Sequence, residues 1–251
     1  LPAPIAALSS TQTRLDALPT AIGGGADAQK KVIQAALKEA KQDYPQDAAA
    51  RLRAAIGTDT PLLERLVAFW SNHFTVSAVR PLVAGLIGPF EAEAIRPHLF
   101  GRFVDLVKAT TLHPAMLLYL DNATSVGPDS RAGQRRGKGL NENLARELME
   151  LHTLGVDGGY TQADVTEMAK ILTGWTIHRP TQPARAIAET RGSTVFFSPI
   201  HQPGSKTLLG RSYSENGPRE AETAIEMLAT HPATAKFIAG KLARHFIADD
   251  P

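Results

Sequence analysis

The chain has 251 residues, 43% of them hydrophobic, enough to bury one large core or two closely packed lobes. A net charge of +2 gives no field that would recruit nucleic acid or an anionic membrane. The absence of cysteine excludes disulfides, a thiolate nucleophile and cysteine-ligated metal. No apolar run approaches the roughly 20 residues of a membrane span.

The start, LPAPIAALSS, lacks Met and a basic segment and does not read as an intact signal peptide. Ala28 to Lys41 and Ala48 to Ile56 are two Ala-rich, weakly apolar helices. Pro61 opens a stronger helix through Phe74, with proline in the first turn, where its missing N–H costs nothing. Pro89 to Thr110 reads as two helices broken near Arg96-Pro97, and Pro114 starts another through Leu120. A loop rich in Gly and Arg runs from Asp121 to Gly139. Two further helices are expected at Asn141 to Leu154 and Gln162 to Thr173. Ser193 to Phe197 and Lys206 to Leu209 flank His201-Gln202-Pro203-Gly204 and read as a short β-hairpin or as two extended segments around a turn. Helices at Arg219 to Thr230 and Ala233 to Ile247 follow, and the chain stops at Pro251 in what reads as a trimmed form. His-Pro-Ala precedes a helix at both His113 and His231, which points to shared capping chemistry. The expectation is a mostly α, single multi-helix domain with a short β-hairpin near residues 193–210. Residues 1–57 form an N-terminal helical segment packed on a main part spanning 58–251.

Chemistry concentrates in Asn141 to Leu154. At about 100° per residue, Leu144, Leu148 and Leu151 form the centre of an apolar face, and Glu142, Arg146 and Glu150 form a ladder opposite. Glu147 and His152 fall on the flanks of the apolar face. A buried carboxylate there requires a cation, hydrogen-bond donors or a metal. One reading pairs Glu147 with an arginine of another helix and leaves His152 as a hydrogen-bonded core residue; the other makes both part of a cleft that binds a ligand or moves protons. The two lie about 140° apart on the wheel, so they do not ligate one ion by themselves. Asn141 is the expected N-cap and Gly155 the helix stop, and Thr161 with Asp164 forms a capping box.

His73 lies on the apolar flank of its helix, either as a satisfied core histidine or as a site residue. Asn72 points to the polar side. Arg131, Arg135, Arg136 and Lys138 crowd the loop before the Asn141 helix, a setting that suits an anion or a solvated loop. His201 and Lys206 flank the Pro-Gly turn as cleft or surface groups. No nucleophile elbow, Walker loop or dinucleotide fingerprint occurs.

FWSNHFTVS at 69–77, HPAMLLYLDN at 113–122, NENLARELMELHTLGVDGGYTQADV at 141–165, LTGWT at 172–176 and HPATAKFIAGKL at 231–242 together resemble the bacterial domain of unknown function 1800 family (DUF1800). The likeness runs from about residue 60 to the end. It implies a bacterial protein, secreted or periplasmic with a cytoplasmic location left open, and encoded beside a sulfatase-related partner. The family's usual His-Asp-x-Gly-x-Lys motif reads His201-Gln202-Pro203-Gly204-Ser205-Lys206 here, so a carboxylate that could orient the histidine is replaced.

The resulting candidate site has Glu147, His152, His73 and His201 as acid/base groups, with Asn143, Arg146, Lys206, Arg135 and Arg136 as ligand-binding supports. Two functions are expected of it. One is an envelope hydrolase acting on a polymer or anionic ester, with or without a divalent metal. The other is a non-catalytic binding or assembly module whose polar signature is a buried structural network. A small-molecule or polymer ligand is implied in either case.

Overall fold

The computed structural model describes residues 1–17, 26–136, 139–178, 182 and 184–251. It is mostly helical, with two small antiparallel sheets. The N-terminal helices are α1 (Ala3–Ala6), α2 (Thr11–Asp16) and α3 (Ala26–Ile56). The two expected Ala-rich helices are one, because α3 runs through Pro45 without a break. Arg14 of α2 grips Asp47 just beyond that proline through both Nη groups at 2.7 Å, and one of the two also donates to the Gly85 carbonyl. Gly88 passes so close to Asp47 that a Cβ there would overlap its carboxylate. This clamp holds α3 in register where proline removes a backbone donor.

Next come α4 (Pro61–His73), α5 (Pro81–Ala84) and α6 (Ile87–Phe90). The last leads into a π turn at Glu91–Ile95 and a 3₁₀ turn at Arg96–His98, the expected interruption. Then come α7 (Phe103–Thr111), α8 (Pro114–Tyr119), α9 (Gly133–Arg136), α10 (Asn143–Glu147) and α11 (Gln162–Leu172), and, after the strands, α12 (Pro218–Ala229) and α13 (Pro232–Phe246). Val107, Met116, Leu117, Leu144, Leu148, Met168, Leu172, Ile225 and Leu228 are fully buried and form the centre of the main core. The helices α7, α8, α10, α11 and α12 therefore enclose one apolar interior, worth about 1.5–3 kcal/mol per large side chain removed from water.

Strand β1 (Trp175–Ile177) pairs with β3 (Thr194–Phe197), which also pairs with β2 (Ile187–Arg191), giving the order β1-β3-β2. Trp175 stands opposite Phe196. Gly174 has φ +98°, and a Cβ there would overlap the Phe196 ring, so glycine is required on both counts. The second sheet is a hairpin of β4 (Lys206–Leu208) and β5 (Arg211–Tyr213). Its two-residue turn, Leu209-Gly210, has both φ values positive, the geometry that matches the twist of paired strands. The segments on either side of the His201 turn are thus extended but not paired with each other.

At the edge of the main core Arg96 is sealed between two acids. Its Nη groups contact Glu64 at 2.7 and 2.8 Å, and its Nε and Nη2 contact Glu91 at 3.0 and 2.9 Å. Removing one member of such a buried cluster strands the rest without compensation. Arg96→Ala is expected to lower unfolding free energy by about 3–5 kcal/mol in denaturant titration; a loss under 1 kcal/mol would refute the role assigned to this cluster.

Candidate functional site

The helix expected at Asn141 to Leu154 is α only from Asn143 to Glu147 and continues as a π turn, Leu148–His152. A π turn inserts one residue relative to the α ladder, so side chains beyond it are rotated back by about 100°. That corrects the wheel. Leu151, expected at the centre of the apolar face, is 43% exposed, and His152 takes its place in the core at 3%. The N-cap position falls on Glu142 and not on Asn141, whose Oδ1, one residue further out, accepts from the Asn143 N–H at 2.9 Å. Gly155 ends the element with φ +83° under the Phe237 ring, and the Thr161–Asp164 capping box is present.

The helix ends at His152, which leaves that residue's carbonyl without an intrahelical donor. His73, the last residue of α4, fills that gap, its Nε2 donating at 3.1 Å. This fixes the proton on Nε2, so Nδ1 is the acceptor for the Lys241 ammonium at 2.9 Å. Burial and the adjacent Lys241 hold the His73 imidazole down at about 4. Burial, with His73 and Lys241 nearby, holds His152 down at about 3. Burial also lowers the Lys241 ammonium. The two rings lie 6.0 Å apart among Trp70, Phe74 and Phe237, and His152 Nδ1 is buried with no partner.

His201 and Lys206 belong to a second group, which shares no hydrogen bond or ring contact with the first. Neither is a surface residue or a cleft residue: they are 6% and 2% exposed. His201 Nδ1 donates to the Thr173 carbonyl at 2.7 Å and Nε2 stands 3.0 Å from Glu220 Oε2. Lys206 Nζ donates to the same Glu220 oxygen at 3.0 Å and to the Gln202 carbonyl at 2.6 Å. The carboxylate that orients the histidine is therefore Glu220, at the start of α12. Gln202 does not replace it, because its side chain faces Asp129, donating to the carboxylate at 2.8 Å and accepting from the Asp129 N–H at 3.0 Å.

The remaining candidates disperse. Glu147 is half-buried with no cation or donor paired to it among the described residues, and burial and neighbouring Glu150 raise its carboxyl. Neither the expected arginine partner nor a shared site with His152 is present. Arg146 donates to Glu142 at 3.2 Å and Gln162 at 2.8 Å, and Thr166 also donates to Glu142. The ladder thus ties α10 to α11 and does not stand free in solvent. Asn143 and Arg135 are exposed; the Arg136 side chain and all of Lys138 lie outside the described residues. Among the described residues no group of three or more His, Asp or Glu side chains is placed to hold a metal ion.

The other motifs are also engaged internally. His113 and His231 both cap helices, each accepting through Nδ1 from the N–H two residues on, at 3.1 and 3.2 Å. Asn122, buried, donates to the Leu172 and Trp175 carbonyls and so joins α8 to the end of α11. Two open clefts, of about 490 and 530 Å³, are lined by other residues, and none of His73, Glu147, His152, His201 or Lys206 reaches either. Sequence reasoning missed Lys241 and Glu220. Both lie on helices whose local pattern is ordinary, and only long-range packing brings them to a histidine.

The two depressed imidazoles set a pH dependence. Unfolding releases each to the ordinary histidine range, where it binds a proton more readily than in the fold. Their contribution is fully present above about pH 6.5 and is lost as pH falls toward 4. Thermal melts of the wild type should therefore fall steeply between those values, and His152→Gln should flatten that slope. An unchanged slope in the variant would refute the assignment.

The residues from 2 to 251 match the family model described as Protein of unknown function (DUF1800). Neither a curated protein nor a solved structure matches the chain significantly. The match spans essentially the whole sequence: the chain belongs to the DUF1800 family.

Proposed function

We propose that this protein is a non-catalytic binding module of the bacterial envelope, which holds a ligand on its surface while the polar signature serves as internal framework. The observation that carries the reading is the engagement of the signature's acid/base groups: among the described residues His73, His152, His201, Lys206 and Glu220 are each at most 6% exposed, and none lines either of the two open clefts. Proton transfer to a substrate requires hydrogen-bond reach of it, which sealed groups lack. The envelope location and a sulfatase-related partner rest on kinship with the family, and a cysteine-free chain is compatible with both. A hydrolase remains the second reading through one residue. Glu147 is a partly exposed carboxyl without a partner, raised by burial, which is how a general acid is prepared.

Co-sedimentation with insoluble cell-wall polymers tests binding, and release of soluble product from the same polymers, or from nitrophenyl esters and glycosides, tests hydrolysis. Retention without release supports the binding reading; release abolished by Glu147→Gln overturns it.

Two stability measurements follow. Lys206→Met leaves the Glu220 carboxylate without its cation and is expected to cost about 3–5 kcal/mol, whereas adding Glu220→Leu recovers most of that loss. A catalytic pair would instead lose turnover with stability nearly intact. Burial and Glu150 raise the Glu147 carboxyl, so its charged form is less favourable in the fold than in the unfolded chain, and Glu147→Gln removes that penalty. Its Tm should rise by about one or two degrees; a fall of several degrees would show a partner that the fold conceals.

A further inference from the structure

The 530 Å³ cleft between α3, α4 and the Glu91 π turn is lined by Tyr44, Arg51, Ser71, Asn72, Thr75, Ser77 and Glu91 around a floor that includes Val76, Ile87 and Phe90. Its volume is that of a small-ligand site. Its polar groups divide into a fixed set and a free set. Glu91 is fixed: Oε1 receives Arg96, while Oε2 receives the Ser71 hydroxyl at 3.0 Å and Arg51 Nε at 2.8 Å. Thr75 is fixed by its bond to the Asn72 carbonyl. Among the described residues the free set is the Asn72 carboxamide, the Tyr44 hydroxyl, the Ser77 hydroxyl and both Nη groups of Arg51, none of which has a partner.

The 490 Å³ cleft is different, although it carries more charge. Asp105 is taken by Arg102, Lys108 by Glu226, Arg191 by Glu189 and Glu222, and Glu93 by His113 and the Thr11 N–H. Its carboxylates, lysine and arginine are thus paired within the protein.

In the Tyr44 cleft the Arg51 charge is offset by Glu91 at contact distance, so no net charge is left to select an ion. What remains is a carboxamide, hydroxyls, two guanidinium donors and an exposed aromatic face (Tyr44 is 41% exposed) above an apolar floor. Planar polar side chains pair with vicinal hydroxyls, and an aromatic face packs on the C–H side of a pyranose ring. We propose that this cleft binds a neutral saccharide segment, stacked on Tyr44 and hydrogen-bonded by Asn72 and Arg51. The inference rests on the binding-module reading and names its ligand class and site. It also gives a role to Asn72, whose helix face borders this cleft and not bulk solvent alone.

The experiment is calorimetric titration of the full chain with neutral trisaccharides of glucose and of N-acetylglucosamine, and with trigalacturonate as the acidic comparison. It is repeated on Tyr44→Ala and Asn72→Ala, whose side chains have no partners to lose. At least one neutral trisaccharide should bind, each variant should weaken it at least tenfold, and the melting temperature should stay within about one degree of the wild type. Binding of trigalacturonate alone, or of no trisaccharide at millimolar concentration, overturns the proposal. Equal binding by wild type and both variants also overturns it, while leaving the binding-module reading standing. Cleavage of a bound trisaccharide defeats the binding-module reading itself, whatever the cleft variants do.

Discussion

The hydrogen bond from His73 to the carbonyl of His152 is the contact on which the signature's arrangement depends. The helix ends at His152, whose carbonyl has no intrahelical donor, and in a dry interior such a carbonyl costs as much as a lost hydrogen bond. His73 answers it at 3.1 Å and Thr153 Oγ1 answers the Leu148 carbonyl at 2.6 Å. The turn survives because both are satisfied. In turn it decides which residue enters the core, exchanging a leucine for a histidine. Lys241 completes the set by giving His73 Nδ1 a donor. Helices α4, α10 and α13, far apart in sequence, are thereby joined through one imidazole.

The second histidine group is organised around a buried carboxylate. Glu220 is completely enclosed; its Oε2 receives Lys206 and lies 3.0 Å from His201 Nε2. Such a cluster adds little net stability over apolar residues of equal shape, because desolvation consumes most of the Coulomb gain. What it supplies is specificity of arrangement: α12 docks only where its first-turn carboxylate meets the lysine of β4 and the histidine before it. The Asn122 amide bridging the Leu172 and Trp175 carbonyls acts in the same way on the other side of α11.

The sequence made the helices legible wherever they were α and locally capped. The boundaries of α4, α8, α11, α12 and α13 follow from first-turn prolines, the Thr161 box and glycine stops. It failed where long-range contacts override local pattern. Pro45 reads as a break, and only the Arg14–Asp47 clamp keeps α3 whole across it. A wheel drawn at one period cannot anticipate a π turn, so Leu151 and His152 were exchanged. The two extended segments around His201 were visible, but their partners were not, since pairing with β1, β2 and β5 is set by packing on Trp175 and Asp164. Most site residues were legible as unusual polar positions; the cations and acids that satisfy them lay on helices of unremarkable pattern.

Gln202 shows how far local reading can mislead about chemistry. Beside a histidine it looks like a lost carboxylate, yet its amide spans the Asp129 carboxylate and N–H, a pairing that needs one donor and one acceptor on the same side chain. An ionised aspartate there could offer no donor to Asp129 and would face a like charge. With Glu220 already seated on His201, the substitution alters the loop contact and leaves the histidine's carboxylate in place. The motif histidines His73, His113, His201 and His231 are thus bound by partners within the fold. Among the described residues lining the 530 Å³ cleft, the Tyr44 hydroxyl, the Asn72 carboxamide, the Ser77 hydroxyl and the Arg51 fork keep unused hydrogen-bonding capacity. Beneath that cleft α4 is held at its last residue by His73, which bonds the His152 carbonyl, and near its start by Glu64, which pairs with Arg96.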